Sequence, residues 1–338
     1  MTCLSRQSGC VRQPWRNRRL PFRKLSNIAT NLPMHLRVNI FNTSSNLPLF
    51  AAIANGCFER RGITVEVQNT PNSDAQRAGL AAGKFDIAHA AVDNAVAIVE
   101  SANQDVVIVC GGDAGMNDLM VRNEIRGFED LRGKVLAVDA PNTAYALVAK
   151  KILKRHGLLE GRDYQVKLAG GTGPRAAAMV ADPQLAVGMV NPPFSLTVRE
   201  QGLKSLGSQF ELLGPYQATG AFVMRAWARA NDAALVDYLA AYIEGQRRVL
   251  NPAHRNAMVQ LLMTTFMQTQ AIAQSTYNTL VAPGSGLAPD AAFNPEGFGC
   301  VLAIRAEMEG MWGGQPPAPE KFLALDYFDR ALARAVSE

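Results

Sequence analysis

From residue 36 onward the chain alternates short apolar runs of β period with longer stretches whose apolar positions recur at helical spacing. Leu36-Arg37-Val38-Asn39-Ile40 puts every second side chain on one face, the pattern of a half-buried strand. A helix over 49–61 follows, stopped by Gly62, and then a strand over 63–67. Ser73-Asp74-Ala75-Gln76 has the spacing of a capping box and predicts a helix over 74–82 that ends at Gly83. A strand over 85–89, a helix over 94–101 and a fully apolar strand over 106–110 close this unit at Gly111-Gly112. After Leu119-Met120-Val121 the series restarts. Strands over 135–138, 164–168 and 185–190 alternate with helices over 144–156, 174–181 and 193–201. From Phe222 the pattern is mainly helical, with helices over 233–249, 255–267, 270–281 and 298–311. Strand and helix in regular alternation predict an α/β fold with mostly parallel sheets, here in two consecutive units.

Composition adds a size argument. At 338 residues with 48% hydrophobic and 19% charged side chains, the chain can bury a substantial core, and a core of this size divides into lobes. No apolar run approaches the ~18 residues that span a bilayer. The formal charge of +5 suggests nucleic-acid binding only until it is divided along the chain. Residues 1–34 hold seven basic groups and no acidic one, which leaves 27 basic against 29 acidic groups in the body. A near-neutral body without a basic stripe excludes nucleic acid as a partner. Five scattered cysteines and four dispersed histidines offer no metal-ligand spacing and no disulfide framework, so neither metal nor cofactor is expected.

The segment 1–34 is polar and Arg-rich, and reads as a tail or part of a targeting sequence. Arg18-Arg19-Leu20-Pro21-Phe22-Arg23-Lys24 loosely matches a twin-arginine export signal, but the residues after it are too polar for the apolar stretch such a signal needs. The alternative is that translation starts at Met34.

Four loops combine short polar side chains with a strand end before and a helix start behind, where unpaired N–H groups favour an anionic or polar guest. Asn42-Thr43-Ser44-Ser45-Asn46 nominates Thr43, Ser44 and Ser45. Ala91-Val92-Asp93-Asn94 nominates Asp93, also a candidate N-cap, and Asn94. In Asn142-Thr143-Ala144-Tyr145 one of Asn142 and Thr143 is expected to cap, leaving the other and Tyr145 for the cleft. Gly170-Gly171-Thr172-Gly173-Pro174-Arg175 nominates Thr172, Gly173 and Arg175. Its cation sits at a helix start, where the dipole disfavours it unless an anion is bound. Asn191 follows the last strand of the second unit. Asp113, Tyr216, Gln217 and Thr219 are second-rank candidates near the passages between units. No catalytic constellation stands out, since His89 is near Asp86 and Asp93 only in sequence.

The run 36–40, then Pro48-Leu49-Phe50-Ala51-Ala52 and Gly56-Cys57-Phe58-Glu59-Arg60-Arg61-Gly62-Ile63-Thr64-Val65-Glu66-Val67, resembles the opening of solute-binding proteins of ABC importers. Gly83-Lys84-Phe85-Asp86-Ile87-Ala88, Asp130-Leu131-Arg132-Gly133-Lys134, Asn191-Pro192-Pro193-Phe194 and Asp326-Tyr327-Phe328 agree in the same order. Within that family the chain looks like the branch that takes up sulfonates, taurine, nitrate and thiamine-precursor pyrimidines. The resemblance implies a type II periplasmic-binding fold: two α/β lobes, each a mostly parallel sheet flanked by helices, with a helical C-terminal region. The expected lobes are 35–120 with 218–338, and 121–217. It also implies a monomeric, periplasmic, non-catalytic receptor that closes on a small molecule and hands it to an ABC permease. The alternative is a cytosolic enzyme or sensor on the same fold. Of the fold's enzymes, the thiamine-pyrimidine synthase has a Cys-rich run that is absent here. Where a desulfinase places its nucleophilic cysteine, this chain has Ser44-Ser45.

Overall fold

A computed structural model describes residues 33–336. The basic segment therefore lies, apart from its last two residues, outside the described residues. Among the described residues, ten strands form two five-stranded sheets. The first contains β1 (Met34–Ile40), β2 (Ile63–Asn69), β3 (Ile87–Ala91), β4 (Val106–Gly111) and β10 (Thr219–Met224), in the order β2-β1-β3-β10-β4. The second contains β5 (Asp118–Arg122), β6 (Lys134–Val138), β7 (Tyr164–Leu168), β8 (Leu185–Val190) and β9 (Leu203–Ser208), in the order β7-β6-β8-β5-β9. The two orders are the same pattern. In each sheet β1–β2 and β1–β3, or β6–β7 and β6–β8, pair parallel, while one strand runs antiparallel between the third and the edge strand. That antiparallel strand, β10 or β5, is the one that arrives from the other sheet.

The helices are α1 (Leu47–Ala54), α2 (Ser73–Ala81), α3 (Asp93–Ala102), α4 (Ala144–Arg155), α5 (Thr172–Ala181), α6 (Phe194–Glu200) and α7 (Gln209–Leu213), followed by the C-terminal set. That set is α8 (Arg225–Ala230), α9 (Asp232–Leu250), α10 (Arg255–Thr265), α11 (Gln270–Leu280), α12 (Pro295–Glu309) and α13 (Asp326–Arg334). None of the described helices is long and apolar enough to cross a membrane. The α/β class and the two-lobed architecture expected from the pattern are present.

Local differences have local causes. The helix expected over 49–61 stops at Ala54, because Asn55-Gly56 turns the chain with Gly56 at φ +66°, and a short 3-10 turn Glu59–Arg61 follows. That turn brings Arg61 onto the buried Glu244 of α9, at 2.5 Å. Strand β9 has no counterpart in the sequence reading, since Leu203-Lys204-Ser205-Leu206-Gly207-Ser208 carries weak β propensity and gains its order from pairing with β5. The predicted capping box is replaced by Asn72, whose side chain accepts from Ala75 N. Ser73 is thereby free to bond elsewhere, and Gln76 enters a buried chain of amides with Asn39 and Asn94.

Helix α9 lies against α1, α13 and one face of the first sheet. Gly245 permits this: a Cβ there would fall 2.2 Å from the Pro48 carbonyl oxygen. The opposite face of the first sheet shares one continuous apolar cluster with α4, α12 and the second sheet, running from Ala88 and Ile108 through Leu147 and Phe298 to Leu136 and Val187. The chain passes between sheets at 112–117 and again at 209–218, and these passages are bonded to each other. Gln209 N donates to Asn117 O at 2.7 Å, Ala218 N to Asp113 O at 3.0 Å, and the Thr219 hydroxyl to the Asp113 carboxylate. Asp113 therefore serves the passage, and burial pushes its pKa up. Tyr216 is buried in the apolar cluster and Gln217 ties Asn294 N to Thr219 O, so of the four second-rank candidates Thr219 alone lines the cavity described next.

Candidate ligand-binding site

Reversal of strand order beside β1 and beside β6 opens a crevice at the carboxyl ends of those strands, and the two crevices face one another. They enclose a cavity of about 70 Å3, several times the ~10–15 Å3 that admits one water by the same measure. The first sheet supplies the loop after β1, the end of β3 from His89 to Ala91, Thr219 of β10, Ser73 of α2 and Tyr242 of α9. The second supplies the end of β6, the starts of α4 and α5, and Met189 and Asn191 at the end of β8.

Eight of the sequence candidates meet here: Thr43, Ser45, Asn94, Thr143, Tyr145, Thr172, Arg175 and Asn191. Four do not, each for a visible reason. Ser44 is buried behind the loop and accepts a 2.9 Å bond from Gln268. Asp93 is neither a cap nor a cavity residue. It is the first residue of α3, and its carboxylate makes a two-pronged pair with Arg305 at 2.8 and 2.6 Å, both side chains being 2% exposed. Asn142 is exposed and contributes its carbonyl to Arg305. Gly173 packs on α6, where a Cβ would sit 3.0 Å from the Phe194 ring.

Neither expected cap at α4 forms. Thr143 occupies the N-cap position, but its hydroxyl donates to Ala140 O at 2.9 Å, so the α4 first-turn N–H groups have no side-chain partner. Helix α5 starts in the same state, because its N-cap is Gly171. Two uncapped helix starts thus open on one cavity and give it a positive potential.

Arg175 sits between them. It is 3% exposed; Nε and Nη2 donate to Met189 O at 3.0 and 2.9 Å, Nη1 to Gly170 O at 2.8 Å and Nη2 to Thr172 Oγ1 at 3.3 Å. Among the described residues no carboxylate lies within ion-pair distance of it; burial pushes its pKa down to about 10, an effect that the more distant Asp139 carboxylate of the same cavity only partly offsets. It remains a cation at neutral pH. Since Thr172 accepts from Arg175, its own hydroxyl proton is free for another acceptor. Thr43 and Ser45 share a 2.9 Å hydroxyl contact, and Asn191 holds an enclosed Oδ1 that no described group satisfies. Asp139, after β6, accepts from Ser73 N at 3.1 Å and Ser73 Oγ at 2.7 Å, which ties the two walls together.

These elements and their order match the model of the NMT1-like family over residues 31–263. The chain belongs to the NMT1-like family. No curated protein matches this NMT1-like chain in sequence. Among solved structures it is similar to the periplasmic nitrate-binding protein NrtA of Synechocystis PCC 6803, at 14% identity and TM-score 0.73, with 89% of each chain covered. It is also similar to the alkanesulfonate-binding protein SsuA of Xanthomonas axonopodis pv. citri bound to MOPS, at 18% identity and TM-score 0.67, covering 86% of this chain and 96% of that one. A DszB mutant in complex with biphenyl-2-sulfinic acid shares the fold at 11% identity and TM-score 0.61, covering 89% of this chain and 99% of that one.

His89 and Ser73, which the sequence suggested only as a lone histidine and a cap, also line the cavity, as do Tyr242, Asp139 and Phe41, which the sequence did not single out. Asp139 and Phe41 each follow a strand end directly, a position the loop argument already favours. Tyr242 lies mid-helix in an apolar stripe, where nothing in the sequence separates it from core.

Proposed function

We propose that the chain is the substrate-binding component of an ABC-type importer, which closes on a small polar or anionic organic molecule and delivers it to a membrane permease without breaking or making bonds. In this reading residues 35–120 with 218–338 form one lobe and 121–217 the other, and the protein works as a monomer in the periplasm. Thr43, Ser45, Asn94, Thr143, Tyr145, Thr172, Arg175 and Asn191 face the ligand.

The observation that carries the reading is Arg175, a buried cation with no bonded carboxylate and only Asp139 at longer range, set beside two uncapped helix starts. A charge left in that condition costs free energy that an anionic guest recovers. The cavity's hydroxyls and amides are binding groups rather than an activated nucleophile with its base. Thermal-shift measurements with panels of sulfonates, carboxylates and pyrimidines should find a stabilising anion. Cell fractionation with mass spectrometry of the mature amino terminus should find a processed periplasmic protein. An unprocessed cytosolic protein that turns over its ligand would replace this reading with that of an enzyme on the same fold.

A further inference from the structure

The wall of the cavity contributed by the first sheet contains no unpaired charge comparable to Arg175, but it contains His89. This residue lies mid-way along β3, paired with Ile40 of β1 and Ala221 of β10, and is 4% exposed. Its ring is held from the α9 side. Nε2 lies 2.8 Å from the Tyr238 hydroxyl, and the Tyr242 ring packs against the imidazole with centroids 4.6 Å apart. Phe58 stacks on Tyr238 at 5.2 Å and fixes it in turn.

We propose that His89 presents Nδ1–H to the cavity as an uncharged hydrogen-bond donor, locked in that tautomer by Tyr238, and that it recognises a neutral acceptor oxygen on the ligand. The proposal rests on the reading of the cavity as a ligand site and adds the chemistry of the ligand's second end. The tautomer follows from proton accounting. The Tyr238 hydroxyl has His89 Nε2 as its one hydrogen-bond partner among the described residues, and a buried phenol must place its proton on an acceptor. Nε2 therefore accepts, and the ring proton resides on Nδ1. Nδ1 bonds to no described residue and is not among the fully enclosed unsatisfied atoms, while the residue lines the cavity.

The groups around the ring keep it neutral. From α9 it meets the phenols Tyr238 and Tyr242, whose pKa values burial raises, and Cys110 of β4 and Asp113 of the passage stand behind them. Among the described residues no carboxylate lies within ion-pair distance of the imidazole, and its pKa is pushed down to about 3 by burial. Tyr242 adds a phenol hydroxyl to the same wall. The site thus suits a two-ended ligand: an anionic group toward Arg175 and Thr172, and a carbonyl, ether or similar uncharged oxygen toward His89.

The test uses the full chain labelled with nitrogen-15 histidine. Long-range proton–nitrogen spectra, with the His89→Asn variant to assign the resonance, should show a neutral ring protonated on Nδ1 and unchanged between about pH 5 and about pH 8. Tyr238→Phe should release the lock and populate the Nε2–H form, an effect that a purely packing role for Tyr238 would not produce. A ring that carries its proton on Nε2, or titrates in this range, overturns the proposal. With butanesulfonate and its methyl-ketone analogue as probes, the ketone should bind roughly three- to tenfold more tightly, the worth of one hydrogen bond. His89→Asn, which keeps an N–H near the Nδ1 position, should preserve the preference, and His89→Leu should abolish it. Equal affinities in the unmodified protein would overturn the proposal. Failure of both probes to bind would count against the anion site instead, and the spectra, which need no ligand, tell the two failures apart.

Discussion

Replacing Arg175 by methionine separates the role of its charge from the role of its packing. Burial lowers the guanidinium's pKa to about 10 from the usual arginine value, and each pKa unit of that shift corresponds to about 1.4 kcal/mol, so holding the charge costs the folded state on the order of 3 kcal/mol. The sign is that of a base whose folded pKa lies below its unfolded one. The cost is present at every pH below about 10 and disappears only as the group loses its proton. Arg175→Met removes that cost but strips Met189 O and Gly170 O of their donors, at about 1–3 kcal/mol for each carbonyl left bare. The two terms offset each other, so the unliganded protein should unfold in urea within about 3 kcal/mol of the original.

Binding should change far more. An anion that recovers most of the roughly 3 kcal/mol gains about two decades of affinity from Arg175, and the variant should lose them. A probe sulfonate at about one hundred times its Kd stabilises the original protein by about 2.7 kcal/mol, and with a hundredfold weaker Kd the same concentration gives about 0.4 kcal/mol. Urea unfolding with and without the probe reads both quantities in one experiment. A ligand-induced shift of undiminished size in Arg175→Met would refute the reasoning.

Breaking the buried pair from one side, by Asp93→Asn or Arg305→Met, should cost about 3–5 kcal/mol in urea unfolding, with the double replacement costing less than either, because each single change strands a charge. Glu307 joins Lys151 and, at 2.9 Å, Lys154 across α12 and α4. With all three side chains partly exposed, Glu307→Gln should cost at most about 1 kcal/mol in urea unfolding, a cost that shrinks further at high ionic strength. Both lysines hold the Glu307 pKa below its ordinary value, so this contribution is present above the usual glutamate pKa and is lost as the pH falls through the lowered one. Gly245→Ala should force α9 away from the Pro48 carbonyl and lower stability by about 1–3 kcal/mol, seen as an earlier thermal unfolding midpoint.

The links between the two walls differ from side to side, and this bears on the opening motion proposed above. On the α4–α12 side the halves share an apolar cluster as well as the Glu307 ion pairs and the bond from Arg305 to Asn142 O. On the α2 side the links are polar: Ser73 to Asp139, with Gly171 resting near Pro71 O and the Phe41 ring. Water replaces a broken hydrogen bond at small net cost, whereas exposing apolar area costs about 25 cal/mol per Å2. An opening motion that keeps α4 on α12 and parts Ser73 from Asp139 is therefore cheaper than one that separates the halves evenly. The paired passages at 112–117 and 209–218, bonded through Asp113, Asn117 and Gln209, are placed to take up such a rotation.

The strands and helices were legible because their apolar periodicity reports directly on burial. Strand β9 was not, because an edge strand with Gly207 and two serines depends on its partner for order. Caps were the weakest inference for a physical reason. A serine, threonine or aspartate before a helix has several competing acceptors and donors, and the winner is set by groups remote in sequence. Ser73 found Asp139, Thr143 found Ala140 O, and Asp93 found Arg305, 212 positions away. The same competition explains the site. Local sequence marks the loops that follow strands, and so eight of twelve candidates reach the cavity. Whether a polar residue in such a loop faces the gap or turns inward depends on whether the interior offers it a partner of opposite charge. Asp93 had one within bonding distance, whereas Arg175 has only the more distant Asp139 across the cavity. The residue left without a buried counter-ion is therefore the one to expect at a ligand, a criterion that a sequence can raise but only the packed structure can apply.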